Sequence, residues 1–422
     1  MYKRLKGKKL IVLGATAGEI NLIKRAQELG IYVIAADYNT DYTLSPGKLV
    51  ADEAWDISWS DIDELEKRCI AENVDGAIAG YSEFRIDSLI QLCERLDYPC
   101  YSNKEQLEIT RDKKIFKDTC RKYAVPTVKE YSTVESVDKY PVIVKPVDRA
   151  GSIGISIANS KEELEKAYQY AMDLSVTKEV IIEEYIYQGG KIDLYYAIQD
   201  GEIKLISSCD TINAKNNGFE RVVQSAWLYP CRNEDKVLEK SDNTIRKMIQ
   251  GMGIKYGCIF FSGFYNEETE DLSFFECGFR LEGGHQSTYV EQRGPFNYLD
   301  IFLNHALLGE TKDVYNSKID KDLKCLTINL YGKKGVIKSI KGFEELDKYP
   351  ECTLSLCQSR IGESCDDTQA ILNKLGMFAF SGKDSMVLKE RVEEAYKLIN
   401  ILDENNQDMI YDKVQNNEIL NW

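Results

Sequence analysis

Histidine is nearly missing from this chain: among 422 residues there are two, His285 and His305. A histidine-rich zinc site is therefore excluded, and Ser–His or Cys–His catalysis would have to use one of those two. Twelve cysteines are present, but none stands in a C-x-x-C spacing and they show no pairing rhythm. Scattered single cysteines read as small buried hydrophobes in a reduced compartment, so a cytoplasmic location is expected. No apolar run approaches the ~18 residues that a membrane span needs. The basic-then-apolar start, MYKRLKGKKLIVLG, lacks a cleavage site and runs straight into a glycine turn, so it reads as a first strand rather than a signal peptide. Basic excess is absent as well. A formal net charge of −15 argues against a nucleic-acid partner, because phosphate backbones are bound through basic surface. Nor is there an internal repeat or a low-complexity tract.

What is present suits a globular chain of two to four domains. From residue 9 to about 101, apolar runs (KLIVLG, IYVIAAD, VDGAIAG, YPCYS) alternate with amphipathic helices such as GEINLIKRAQELG. Strands alternating with helices predict a parallel sheet covered on both faces. Gly14 and Gly18 fall at the first strand-to-helix turn, and Asp37 ends the second strand. The G-x-x-x-G spacing is not the dinucleotide fingerprint. It is either a tight turn or a small-ligand site at the carboxyl ends of the strands, where Glu19 and Glu83 would project. A charged helical region, NKEQLEITRDKKIFKDTCRKYAV, follows. Strand-like runs dominate from there to a hairpin, GCIFFSGFY and LSFFECGFR, turned by NEETED. A helix with Pro295 near its first turn comes next, and from about 322 strands precede a last helix.

Several short stretches carry chemistry. Lys145 closes the strand PVIVK, and a lysine there is costly unless its ammonium meets an anion. The next segment, DRAGSIGIS, holds Gly151, Ser152 and Gly154 and can turn backbone N–H groups toward phosphate oxygens. No G-K-[ST] follows, so it is not a Walker loop. VIIEEYI ends a strand with Glu183 and Glu184, either a solvated strand end or a hinge that reads a base edge. Asp193 on the following strand is placed to accept from ribose hydroxyls. Lys113 is either a solvated helix lysine or a phosphate ligand. In LSFFECGFR, residues Glu276, Gly278 and Arg280 share one strand face, with the charged groups roughly 13 Å apart.

The order of these features resembles the ATP-grasp superfamily over nearly the whole chain. It runs from an Asp112–Lys113 helix start through VIVKP, a glycine loop, EEYI and an E-x-x-x-R strand. The front stretch is most similar to formate-dependent glycinamide ribonucleotide transformylase and the carboxyaminoimidazole ribonucleotide synthases, and the ending resembles biotin-carboxylase-like members. The resemblance implies a mixed α/β and α+β fold in three parts. These are a Rossmann-like pre-ATP-grasp domain (1–105), a two-lobed ATP-grasp domain (106–315, lid 125–187) and a small C-terminal α+β domain (322–422). It implies ATP with Lys113 and Lys145 on its phosphates, the loop at Gly151–Gly154 over them, and residues 182 to 186, with Glu183, Glu184 and Ile186, around adenine. Magnesium would sit on Glu276, and Arg280 would grip the transferred phosphate. Gly18, Glu19, Glu83, Arg221 and His285 would meet substrate. Two departures stand out: Gly278 replaces the asparagine of E-x-N-x-R, and the partner hairpin strand offers Ser262, Gly263 or Phe264 where an acid is usual. Glu267 or Glu282 would then help with the metal.

The resemblance points to an ATP-dependent carboxylate–amine ligase working through an acyl phosphate on small-molecule substrates, and suggests a homodimer. The thinned metal site motivates a second reading, a nucleotide-binding module with impaired catalysis. An NAD-dependent oxidoreductase would account for only the front domain.

Overall fold

The computed structural model describes residues 4–149, 153–186, 190–214, 223–294, 296–311, 319–366, 373–414 and 422. Its first sheet is parallel, in the order β3-β2-β1-β4, from β1 (Lys9–Leu13), β2 (Tyr32–Ala36), β3 (Glu53–Trp55) and β4 (Gly76–Ala79). These strands are buried almost throughout because helices cover both faces, which is why they read as continuous apolar runs. The helix Leu299–Leu308 is buried on all sides but its last residue and packs against β4. Arg25 clamps it with two bonds to Asp300, at 2.8 and 2.9 Å. A Cβ on Gly76 would land 2.1 Å from the Ala306 carbonyl oxygen. Gly76→Ala is therefore expected to cost about 1–3 kcal/mol by overpacking, read as a lowered midpoint in urea unfolding. An unchanged midpoint would contradict that packing.

A second sheet, in the order β5-β8-β6-β7, comprises β5 (Glu130–Tyr131), β6 (Val142–Pro146), β7 (Ser156–Ala158) and β8 (Val180–Glu184). The helix Lys161–Leu174 covers one face and completes a small core of its own. The largest sheet has eight strands in the order β13-β12-β9-β10-β11-β14-β18-β16. They are β9 (Gly190–Gln199), β10 (Glu202–Asn213), β11 (Gln224–Tyr229), β12 (Gly257–Tyr265), β13 (Leu272–Phe279), β14 (Lys324–Tyr331), β16 (Cys352–Cys357) and β18 (Lys374–Gly382). Strands from beyond residue 322 thus extend the sheet that carries the hairpin. A small sheet of β15 (Gly335–Lys341), β17 (Ser364–Cys365) and β19 (Asn400–Asp403) completes the fold.

Three local expectations are corrected. The run YPCYS is not a strand; it follows a helix that ends in left-handed Asp97 (φ 54°). The short third strand of the first sheet is Glu53–Trp55 instead. The charged region 103–124 is two helices, because Asp112 leaves helical geometry and its carboxylate accepts from the N–H groups of Lys114 (2.8 Å) and Ile115 (2.9 Å). An N-cap satisfies those donors better than continued helix would. Pro295 lies outside the described residues. No helix among the described residues is long and apolar enough to cross a membrane.

Candidate active site

The Asp112 cap sets the first turn of the helix Lys113–Tyr123 against the end of β6. Lys113 Nζ donates to the Arg149 (2.9 Å) and Val147 (3.4 Å) carbonyls and has no carboxylate partner among the described residues. Burial, then the nearby Lys145 charge, push its pKa down. Lys145 is 5% exposed, and the anion it requires belongs to the protein: Nζ lies 2.6 Å from Glu183 Oε2. The other Glu183 oxygen accepts from Lys117, which also pairs with Glu130 at 2.7 Å. Burial alone would raise the Glu183 carboxyl, but Lys145 and Lys117 outweigh it and hold the carboxyl below its usual range. Glu183 is therefore a counter-charge for two lysines, not a free carboxylate at a base edge.

Glu184 points elsewhere and pairs with Lys139 at 2.8 Å near the surface. The backbone N–H groups of Glu184 and Tyr185 are spent on the Lys129 (3.0 Å) and Pro141 (3.2 Å) carbonyls. Ile186, the next residue, is half-buried. Gly154 adopts φ 76°, and a Cβ there would come 2.7 Å from the Pro146 ring. The loop thus returns directly onto the strand end that carries Lys145. Gly151, Ser152 and Arg221 lie outside the described residues.

Across the cleft, strand register builds a second row. Ser262 on β12 faces Glu276 on β13 and Asp193 on β9, so the three side chains share a face. Asp193 is buried, accepting from Ser262 and from Thr211 (3.3 Å), with Lys191 at 3.8 Å. It is part of the sheet's own network rather than an open ribose acceptor. One step along, Phe260 faces Gly278. A Cβ on Gly278 would meet that ring at 2.5 Å, so the place of the expected asparagine is filled by an aromatic side chain. Arg280 lies over the same ring, its guanidinium 5.1 Å from the centroid. It donates to the Leu281 carbonyl at 2.9 Å, its Nε is buried and unpartnered, and it has no carboxylate ion pair among the described residues.

The first sheet supplies the third wall. Glu19 is 2% exposed but not open to an amine: Arg85 (2.8 Å) and the Thr16 hydroxyl (2.7 Å) and N–H (2.8 Å) occupy it. Arg85 lies over Gly14, where φ is 97° and a Cβ would meet the guanidinium at 2.1 Å. Glu83 is half-buried. Burial raises its pKa against the opposing charges of Arg280 and Arg111. Gly18 comes to the His285 ring, which packs tilted against Tyr81 at 4.2 Å between centroids. His285 is buried with Nδ1 unpartnered, and burial, then Lys374, push its pKa down to about 3, so it is neutral at pH 7.

The family model for the D-ala D-ala ligase C-terminus matches residues 116–241, a stretch that holds Lys117, Lys145 and Glu183. The formate-dependent phosphoribosylglycinamide formyltransferase of Francisella tularensis subsp. novicida is 25% identical over 78% of this chain and 90% of its own. In sequence over these stretches, and in fold, the chain is similar to ATP-grasp ligases. A crystal structure of an L-amino acid ligase from Bacillus licheniformis superposes with TM-score 0.75 at 17% identity, covering 95% of this chain and 100% of the other. Two other curated relatives are spanned only in part. The chain covers 49% of the D-alanine–D-alanine ligase of Fusobacterium nucleatum (29% identical, 35% of this chain). It covers 32% of the carbamoyl phosphate synthase large chain, N-terminal section, of Methanopyrus kandleri (26% identical, 46% of this chain).

Carboxylates that could join Glu276 around a metal are sparse. Among the described residues no group of three His, Cys, Asp or Glu side chains comes together. Glu267 accepts from Asn233 (2.8 Å) out at the hairpin turn. Glu282 accepts from the Gly284 and Gln286 N–H groups, so neither completes a cage with Glu276. A lone carboxylate still fits magnesium, which commonly takes one or two carboxylates, substrate phosphates and water. Sequence reasoning missed Lys117, although its i,i+4 spacing from Lys113 puts both on one helix face. It also missed Arg85 and Phe260; the latter is found only through cross-strand pairing.

Proposed function

We propose that this protein is an ATP-dependent carboxylate–amine ligase of the ATP-grasp kind that forms an acyl phosphate on a small metabolite or amino acid and releases ADP and phosphate. The observation that carries the reading is Arg280, a guanidinium without a carboxylate partner among the described residues, held on the Phe260 ring on the same strand as Glu276. Leaving such a cation unpaired in a half-buried cleft is costly unless an anion visits it. Lys113 and Lys145 would hold the nucleotide phosphates from the opposite side, and Arg280 would clamp the transferred phosphoryl fork to oxygen. Magnesium held by Glu276 would neutralise phosphate charge. A carboxylate and an amine do not condense unaided in water. The chain's task is to hold both in line and keep water out while Arg280 stabilises the charge that moves.

One finding favours a second reading, a nucleotide binder with impaired catalysis. Phe260 fills the asparagine position, and Ser262 stands opposite Glu276. The test is ADP and phosphate release from ATP and magnesium with pooled amino acids and small carboxylates. Release that requires a pool, and falls about 100-fold or more in Lys145→Ala, is the expected result. Tight ATP binding with no release from any pool would overturn the ligase reading in favour of the binder.

A further inference from the structure

The helix Lys113–Tyr123 turns two faces to two parts of the fold. Phe116 and Cys120 pack into the large core, with the Phe116 ring 6.3 Å from Phe261 between centroids. Lys113, Lys117 and Arg121 recur at every fourth position and form a stripe on another face. That stripe meets the second sheet. Lys117 has no exposed side-chain surface, and its ammonium lies between two strands, on Glu183 of β8 and on Glu130 of β5, the latter at 2.7 Å. The two carboxylates stand opposite each other in the strand register. Arg121 reaches Glu130 from the solvent side at 4.0 Å. Glu183 gives its other oxygen to Lys145 of β6, at 2.6 Å, and Lys113 feels the same carboxylate charge.

The ligase reading assigns Lys113 and Lys145 to phosphate and leaves Lys117 without a task. A buried ammonium is not needed to seat a helix on a sheet, since an apolar side chain of the same length would fill the space without losing hydration. What the ammonium adds is a second counter-charge on Glu183. We propose that Lys117 is a positioning residue for nucleotide binding, keeping Glu183 compensated when Lys145 turns from that carboxylate to the phosphates. The proposal deepens the ligase reading and rests on its placement of Lys145. With Glu183 held by two ammonium groups, Lys145 can leave and the carboxylate still has Lys117. Without Lys117, each contact of Lys145 with phosphate would strand a buried carboxylate beside Glu130 and the incoming negative charge. Glu183 would then have to take up a proton. The sign follows from linkage: binding that takes up a proton strengthens as pH falls.

The test is ATP affinity of the full chain by calorimetry between about pH 6 and 8, for wild type, Lys117→Met, Lys145→Ala and the double variant. At the upper end Lys117→Met is expected to weaken ATP binding about 10- to 100-fold. Relative to wild type, that loss should shrink as pH falls, by at most about 10-fold per unit for one proton. In the Lys145→Ala background the same substitution should cost nothing further, because no partner is then taken from Glu183. Unchanged affinity in Lys117→Met, a loss that is the same across the pH range, or a full loss persisting in the Lys145→Ala background each overturns the assignment. A merely structural lysine would give one of the last two. Where Lys117→Met does not fold, Lys117→Gln, which removes the charge and keeps a donor, is read in the same way. Wild-type ATP affinity in Lys145→Ala alone overturns the placement of Lys145 and this proposal with it. Binding is read without turnover, so a failure of the ligase reading shows separately, as absent ADP release.

Discussion

Arg280→Ala is expected to lower ATP-dependent turnover by about 10²–10³-fold, the loss typical when one pre-placed donor to a developing charge is removed. Stability should barely move. Among the described residues Arg280 forms one hydrogen bond, to the Leu281 carbonyl, and one ring contact, with no ion pair to break; the ring contact contributes about 1 kcal/mol. Arg280→Lys should recover little activity, because a lysine supplies a point charge where a planar fork is presented to phosphate. The measurement is kcat for ADP formation beside the unfolding midpoint of the same samples. Turnover within threefold of wild type in Arg280→Ala would remove Arg280 from the chemistry.

Phe260 ties this expectation to the unusual Gly278. A glycine is required because the ring occupies the space above it, and the ring in turn carries the guanidinium. An aromatic platform for Arg280 stands in the place of an asparagine side chain. That leaves Glu276 as the one carboxylate on the strand, with Ser262 and then Asp193 beside it in the row.

Much of this was readable along the chain and some was not. The parallel sheet, the hairpin, Lys145 and Arg280 rest on local patterns, period-2 strands and turn residues, which a sequence displays directly. DTINAKNNGFERVVQSAWLYP, residues 210–230, reads as a specificity loop, but its two ends belong to the strands Glu202–Asn213 and Gln224–Tyr229. Asp193, Ser262 and Glu276 are 69 and 14 positions apart in sequence, and only strand pairing brings them level. Glu19 and Glu83 look alike as acids after strand ends. Arg85 pairs with the first, while the second is half-buried with no ion pair among the described residues; that difference depends on packing between elements. Lys145 was read correctly as needing an anion, but the sequence could not say that Glu183 already provides one.

Glu183 is accordingly the carboxylate on which stability should depend most. It is 2% exposed and meets Lys117, which is fully buried, and Lys145. Glu183→Gln leaves both ammonium groups without this counter-charge, and breaking a buried pair in that way costs about 3–5 kcal/mol. The pH dependence gives a second readout. The folded-state pKa of Glu183 is depressed, so its contribution is fully present above the unfolded value, ~4.3, and is lost as pH falls through the folded value. The gap in unfolding free energy between wild type and Glu183→Gln should therefore be constant from neutral pH down to about 5 and close below about 4. A gap that is small at pH 7, or that widens on acidification, would mean that the two lysines are satisfied without Glu183. If Lys145 holds the nucleotide phosphates as proposed, the ATP affinity should also change in Glu183→Gln, because the Lys145 charge is then uncompensated, a shift that binding at pH 7 would register even where the protein is destabilised.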